Sequence, residues 1–532
     1  MIHNDEITTL ADLARVQSRQ FPDVKALTFQ DRTLTYLQLD TRSNQVANAL
    51  LEQGAKTQCL RGATPMRVAI LAKDSLASFE ILFACAKINA VFVPINWRLA
   101  ASEVSYILTD AHVEIIFFGS EFNSLITYIR NEVNSVTTFI SLEKTEENCL
   151  SYDAWYQQSS DIQPNVLVEE NHVVVQIYTS GTTGRPKGVQ LGHYSFFAIA
   201  KEIVKQNETW INWSPTDKSL LVIPFFHIGG LWWAIRGLAS GAENILLQAF
   251  VGIEVLEAIE KYRITKTCMV PAMLQVLLTE PSCQQTDFSS LEYIVYGGSP
   301  IAELLLKEAM VTFDCNFVQI YGMTETGNCA VSLLANAHIS ANLARLKSAG
   351  KPFPGVSLTI LNHQRKALAI GEVGEICIKS PANMIGYWKL PEATANTLVD
   401  GWIHTGDAGY FDDEGYLYIC DRLKDMICYA GENVYPAEIE NILYEYPAIA
   451  EVAVIGVPDE DWGESIKAIV VLKPGIKATA LDIINFVRGK LADFKLPRSV
   501  EFVASLPRTP SGKLQKGQLK EKYWQGYQRK VN

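Results

Sequence analysis

The chain has 532 residues, 48% of them hydrophobic, and a net charge of −12 with a pI near 5.3. That size exceeds what one hydrophobic core organises, so at least two domains are expected. The acidic balance leaves no basic field for a nucleic-acid backbone, so an anionic ligand has to be held by local groups.

The opening residues, MIHNDEITTLADLARV, lack a basic segment followed by an apolar stretch, and no apolar run reaches the roughly 18 residues of a membrane span. A cytoplasmic protein is expected. The ten cysteines include no C-x-x-C pair, Cys420 and Cys428 being the closest, which reads as ordinary reduced core thiols. None of the eight histidines begins H-E-x-x-H, which excludes that class of zinc hydrolase at motif level.

In chain order, RVAILA (67–72), AVFVPI (90–95), VEIIFFG (113–119), KTCMVP (266–271) and LEYIVYGG (291–298) are short apolar runs that predict strands buried on both faces. Helical patterns such as SFEILFACAKINA (78–90) and IAELLLKEAM (301–310) lie between them, giving α/β layering. The acidic stretch LEKTEENCL (142–150) reads as an exposed linker. From about Val356 short alternating strands take over: VSLTIL, GEVGEICI, and the pair GYF and YLYIC joined by Asp412-Asp413-Glu414-Gly415, a small β-rich subdomain. After Asp421 come a helix opening at Pro436, the strands EVAVIGV and IKAIVVL, a helix over 483–491 and the strand VEFVAS. The predicted architecture is a large multi-layered N-terminal α/β domain with a β-rich subdomain (1–421) and a small, mobile α+β C-terminal domain (422–532).

The stretch YTSGTTGRPKGV (178–189) is glycine-rich loop chemistry, but the Walker A spacing is absent, since Lys187 precedes a glycine and Arg185 precedes Pro186. Pro186 disfavours helical geometry before it, and the chain resumes as GVQL, so the loop is expected to join two strands. Backbone N–H groups, hydroxyls and a lysine converge there as in a polyphosphate nest. A mobile surface hairpin would have the same composition.

Seven further stretches follow in order: FFHIGG (225–230), YGGSP (296–300), YGMTET (321–326), HTGD (404–407), DRLKD (421–425), GENVYP (431–436) and PRTPSGK (507–513). Together with the loop they resemble the motif series of the adenylate-forming superfamily, which contains acyl-CoA synthetases, stand-alone adenylation domains and firefly-type luciferases. DEGYLYICDRLKDMI and AEVAVIGVPDEDWGE look most like fatty-acyl-CoA ligases.

The resemblance implies ATP, Mg²⁺ and coenzyme A as cofactors and a small-molecule carboxylic acid as partner. It implies that Thr179, Ser180, Gly181, Thr182, Thr183, Gly184 and Lys187 hold the phosphates. Tyr321 would stack on adenine beside Gly322, Thr324 would contact phosphate, and Glu325 would bind the metal. Asp407 would bond the ribose hydroxyls, with Arg422 on the ribose or a phosphate. Gly297, Gly298 and Ser299 would border the adenine and acyl pockets, and His227 would sit by the acyl carboxylate, with Gly229 and Gly230 making room for the chain. Lys424 matches a hinge position, Lys513 a catalytic lysine brought into the site, and Gly431 the loop that replaces it for thiol capture.

Each residue also has a plainer reading. TET is a polar turn, Asp407 a turn aspartate, His227 a core histidine and Lys513 a solvated charge. Ser299 with Pro300 is expected to cap the helix that follows. Trp232 and Trp233 are expected in the core, one of them available to limit pocket depth. Relatives commonly have two glycines before Glu-Asn; this chain has Tyr429-Ala430-Gly431, where a phenol and a methyl would narrow the thiol's passage.

The reaction these features predict is formation of an acyl-adenylate from a medium- or long-chain fatty acid, then transfer to coenzyme A. Transfer to a carrier-protein thiol, an aromatic or other acid as substrate, and a nucleotide-binding switch without catalysis are the alternatives. A weak peripheral association with membranes, and a monomeric or homodimeric state, are both left open by the sequence.

Overall fold

A computed structural model describes residues 6–54, 65–143, 149–179, 185–339, 343–430, 432–459, 461–508 and 514–525. Ser180, Gly181, Thr182, Thr183, Gly184, Gly431 and Lys513 lie outside these residues, as does most of the acidic stretch after Glu143.

Two large sheets organise the N-terminal part. In one, the parallel strands Val173–Thr179, Val91–Pro94, Arg67–Leu71, Ile115–Phe118 and Thr138–Ser141 lie side by side, and Lys187–Gly192 and then Gly386–Tyr387 extend the edge antiparallel. In the other, Asn316–Tyr321, Tyr293–Gly297, Lys266–Met269, Lys218–Leu221, Glu243–Leu246 and Lys25–Phe29 run parallel. The apolar runs 67–71 and 115–118 are buried at every residue, as strands covered on both faces must be.

The helix Leu76–Lys87 shows why the layers hold together. From Ser78 onward all its residues are buried, and one continuous core joins it to Ile70 and Phe92 of the first sheet and to Leu27, Leu246 and Val318 of the second. A helix apolar on all sides has to be a middle layer. Its one cation, Lys87, keeps its charge inside because Asp40, Ser43 and Asn44 accept bonds of 2.6, 2.7 and 2.6 Å.

The expected β-rich subdomain is an antiparallel sheet of Ser357–Leu361, Gly374–Lys379, Trp402–Phe411 and Leu417–Arg422. Its last turn is made by Asp412, whose Oδ1 accepts the Glu414 and Tyr416 N–H groups, with Gly415 at φ +79°. A further sheet, Ile427–Tyr429, Glu432–Val434, Ile449–Asp459, Gly463–Leu472 and Ser499–Phe502, has its own core of Ile427, Val434, Ile439, Val454, Ile466 and Ile483. Pro436 opens its helix Pro436–Leu443, as predicted, while the second helix is Ala480–Val487 rather than 483–491. Thr479 and Asp482 form a capping box that starts it early.

Trp232 and Trp233 are core residues, packed on Trp210 and Trp213 at ring separations of 5.7 and 5.0 Å. The described cysteines are all free thiols. Among the described residues, no helix is long and apolar enough to cross a membrane.

Candidate active site

The glycine-rich loop connects two antiparallel strands, Val173–Thr179 and Lys187–Gly192, with Thr179 opposite Lys187. It therefore opens no helix. Gly188 leaves room for its neighbours, since a Cβ there would come within 2.7 Å of the Gln176 amide and 3.1 Å of the Tyr178 ring, which would have to shift. The outer edge of this hairpin pairs with Gly386–Tyr387, which brings the Tyr387 ring to 5.0 Å from the Lys187 ammonium. The Tyr387 hydroxyl donates to Glu325 Oε1 at 2.7 Å. Burial first, and then the Glu325 charge, raise the Tyr387 phenol, so it stays a donor.

Glu325 itself belongs to the turn Thr324–Thr326, which follows the strand Asn316–Tyr321. Gly322 leads into this turn where no side chain fits, because a Cβ would stand 2.1 Å from the Asn328 carbonyl oxygen. Thr326 Oγ1 accepts the Met323 N–H at 3.0 Å, and Gly327 closes the turn at φ +70°, where a Cβ would stand 2.7 Å from the Ala382 carbonyl oxygen. Thr324 and Glu325 are consequently buried, at 8% and 6% exposure. A buried carboxylate beside a phosphate-type hairpin suits a hard divalent cation, for which one protein carboxylate suffices when phosphates supply other oxygens.

At the head of the same segment, the Tyr321 hydroxyl donates to Asp407 Oδ2 at 2.7 Å, and Arg422 Nε lies 3.7 Å from Asp407 Oδ1. Burial and the adjacent carboxylate hold the Tyr321 phenol well above its usual value. Asp407 is presented by an irregularity in the ladder: Cys377 pairs with His404 and Glu375 with Ala408, so residues 405–407 face Ile376 alone. Thr405 Oγ1 donates to the Ile376 carbonyl at 2.7 Å and accepts the Asp407 N–H at 3.0 Å. Glu375 Oε1 accepts the Gly406 N–H at 3.1 Å, and its Oε2 lies 2.8 Å from His404 Nδ1. Glu375, Cys377 and His404 bring one ligand atom each within 4.8 Å, but both glutamate oxygens already accept N–H bonds and burial pushes the Cys377 thiol up to about 12. The trio is a hydrogen-bonded brace.

Lys424 lies exposed in the turn between Leu417–Arg422 and Ile427–Tyr429. Leu423 N–H donates to the Gly406 carbonyl at 2.9 Å, so this turn touches the Asp407 segment directly.

Several expectations need correction. Ser299 caps no helix: the helix is Glu303–Phe313, with Ala302 at its N-cap. Ile301 is packed against the second core, and the helix begins two residues beyond it. Gly297 is demanded by the sheet, where a Cβ would lie 2.3 Å from the Ile320 carbonyl, whereas exposed Gly298 is needed for its φ of +82°. Gly230 likewise seats the helix Ile228–Ala239 against the Ile223 and Pro224 carbonyls, 2.3 and 2.6 Å from its missing Cβ, so it makes no room for a ligand. His227 is the N-cap of that helix; its Nδ1 accepts the Gly229 N–H at 3.1 Å. The Tyr429 phenol does not stand in a passage: it is 5% exposed, in the C-terminal core, with its hydroxyl accepting from Arg498 at 2.8 Å. Of the two, Ala430 is the exposed one.

Tyr387 and Glu375 were not singled out by sequence. Tyr387 carries no local signal, because its carboxylate partner is distant in the chain. Glu375 had one: Glu375 and Cys377 alternate with Ile376 and Ile378, giving that strand a polar face opposite His404.

Residues 14–388 match the family model described as AMP-binding enzyme, and residues 438–513 match its C-terminal domain. A fatty acid–[acyl-carrier-protein] ligase of Streptomyces coeruleorubidus, ScoC, is 44% identical over 100% of this chain and 99% of its own length. The long-chain-fatty-acid–CoA ligase FadD13 of Mycobacterium tuberculosis is 35% identical over 93% of this chain and 94% of its own. Among solved structures, the anthranilate CoA ligase AuaEII in complex with anthranoyl-AMP superposes with a TM-score of 0.88 at 26% identity, covering 97% of each chain.

Proposed function

Because this chain belongs to the family of AMP-binding enzymes, we propose that it converts a medium- or long-chain fatty acid to acyl-AMP with ATP and passes the acyl group to coenzyme A, in the cytoplasm. The products are acyl-CoA, AMP and pyrophosphate. The observation that carries the reading is one short segment, 321–325, whose two ends meet Asp407 and Tyr387 at 2.7 Å each. Nucleoside recognition and phosphate neutralisation are thereby fixed relative to each other.

A carboxylate that attacks the α-phosphorus of ATP is an anion approaching an anion, so the main requirement is electrostatic. Lys187 and the 180–184 loop face the phosphates, and Lys513 bonds the acyl carboxylate and the α-phosphate. Glu325 would hold Mg²⁺, which when bound would supply positive charge near the phosphates. Thr324 donates to a phosphate oxygen, and His227 lies by the acid. Tyr321, Asp407 and Arg422 hold the nucleoside. The acid is already ionised at neutral pH, so no general base is required. We take the domain boundary at 421/422, with Lys424 as pivot, so that the C-terminal domain alternates Lys513 with the Gly431 loop.

A carrier-protein thiol as acceptor is favoured by the full-length match to the Streptomyces carrier-protein ligase. An acid panel assayed for AMP release, with coenzyme A and with a phosphopantetheinyl carrier, decides. Turnover of saturated fatty acids with free coenzyme A supports the reading. Turnover with the carrier alone replaces the acceptor, and preference for benzoate-type acids replaces the substrate.

A further inference from the structure

Resting on the nucleoside-binding part of that reading, we propose that Glu375 is a positioning residue: it fixes the Gly406 peptide, and through it the carboxylate that meets the ribose. The three residues 405–407 bulge from the ladder opposite Ile376. Bulges re-aim side chains, but they also leave backbone groups without ladder partners. Here each side of Gly406 finds one: its N–H is accepted by Glu375 Oε1 at 3.1 Å, and its carbonyl accepts the Leu423 N–H at 2.9 Å.

Gly406 adopts φ +71° and nothing lies within 4 Å of where a Cβ would be, so no neighbour packs on its side-chain direction and its two hydrogen bonds are what hold it. Glycine in that region is otherwise free to rotate. His404 in turn lies on Glu375 Oε2 at 2.8 Å, which fixes the carboxylate's direction. Removing the acceptor frees the Thr405–Gly406 peptide and leaves the next one to the Leu423 N–H and Thr405 Oγ1, so the 2.7 Å alignment between Tyr321 and Asp407 is expected to loosen.

The test is the preference for ATP over 2′-deoxy-ATP in acid-dependent pyrophosphate exchange, as a ratio of kcat/KM values. Asp407→Asn sets the preference that the carboxylate supplies; if that variant keeps the wild-type ratio, the ribose reading itself fails. Given its collapse, Glu375→Ala is expected to lower the ratio about tenfold, as loss of a hydrogen bond to a charged group does. Glu375→Gln, which retains an acceptor for the Gly406 N–H, should stay within about threefold of wild type. Glu375→Asp, too short to reach, should follow the alanine variant and serves if alanine does not fold. Glu375 variants that lose thermal stability or overall rate while keeping the nucleotide ratio overturn the proposal, because a merely structural role predicts that result.

Discussion

The hydroxyl of Tyr321 and the carboxylate of Asp407 meet at 2.7 Å, although they come from different sheets of the N-terminal part. Tyr321→Phe removes this bond and keeps the ring. KM for ATP in pyrophosphate exchange is expected to rise about tenfold with kcat little changed. Tyr321→Ala should cost more, because the aromatic face goes too. Equal effects of the two would mean that the ring is not used.

Tyr387→Phe takes the donor from Glu325 Oε1 without disturbing the ring over which Lys187 lies. Partners of a metal ligand commonly set affinity by about 10 to 100-fold. The Mg²⁺ concentration that half-saturates adenylate formation should shift by about tenfold at constant ATP. An unchanged magnesium titration would separate Glu325 from the metal.

Two histidines make the fold acid-sensitive. His193, 1% exposed, accepts the Leu10 N–H on Nδ1, and burial lowers it to about 3. His338, 3% exposed, lies between the Leu334 carbonyl and the Tyr296 hydroxyl, and burial lowers it to about 4. Both stay neutral in the fold and protonate in the unfolded chain, so their stabilisation is complete above about pH 6.5 and is lost as pH falls toward 4 and 3. At pH 5 each costs about 2 kcal/mol. Melting temperatures at pH 7.5 and 5.0 should converge in a His193→Asn variant relative to wild type; an equal fall in both would contradict the assignment.

Ala430 sits at φ +53° between the paired residues Tyr429 and Glu432. L-residues pay about 1 kcal/mol or more for that region. Ala430→Gly should therefore raise stability by about 0.5–1 kcal/mol net of the glycine's chain entropy, read as a higher melting temperature. No gain would mean that the turn relaxes in solution.

The strands were legible because burial on both faces writes uninterrupted apolar runs, as in 67–71 and 115–118. The hairpin at 178–189 was legible from Pro186 and the resumed GVQL. The glycines were legible as necessary but not as to cause: Gly230 and Gly297 answer to backbone carbonyls that only the folded chain brings near. Ser299-Pro300 misled because the capping pattern is local, whereas the helix begins only beyond Ile301, which packs against the second core. Tyr387 acts on a residue distant in sequence, which no local pattern encodes, and the alternation around Glu375 marks a polar strand face without showing which residue it meets.

The most direct test follows the acid's own oxygen. With substrate carboxylate labelled by oxygen-18, turnover through an acyl-adenylate deposits one labelled oxygen in the phosphate of the released AMP, detected by mass spectrometry. Label in AMP is the predicted result; unlabelled AMP, with all the isotope kept in the acyl product or in water, would contradict attack by the carboxylate on the α-phosphorus.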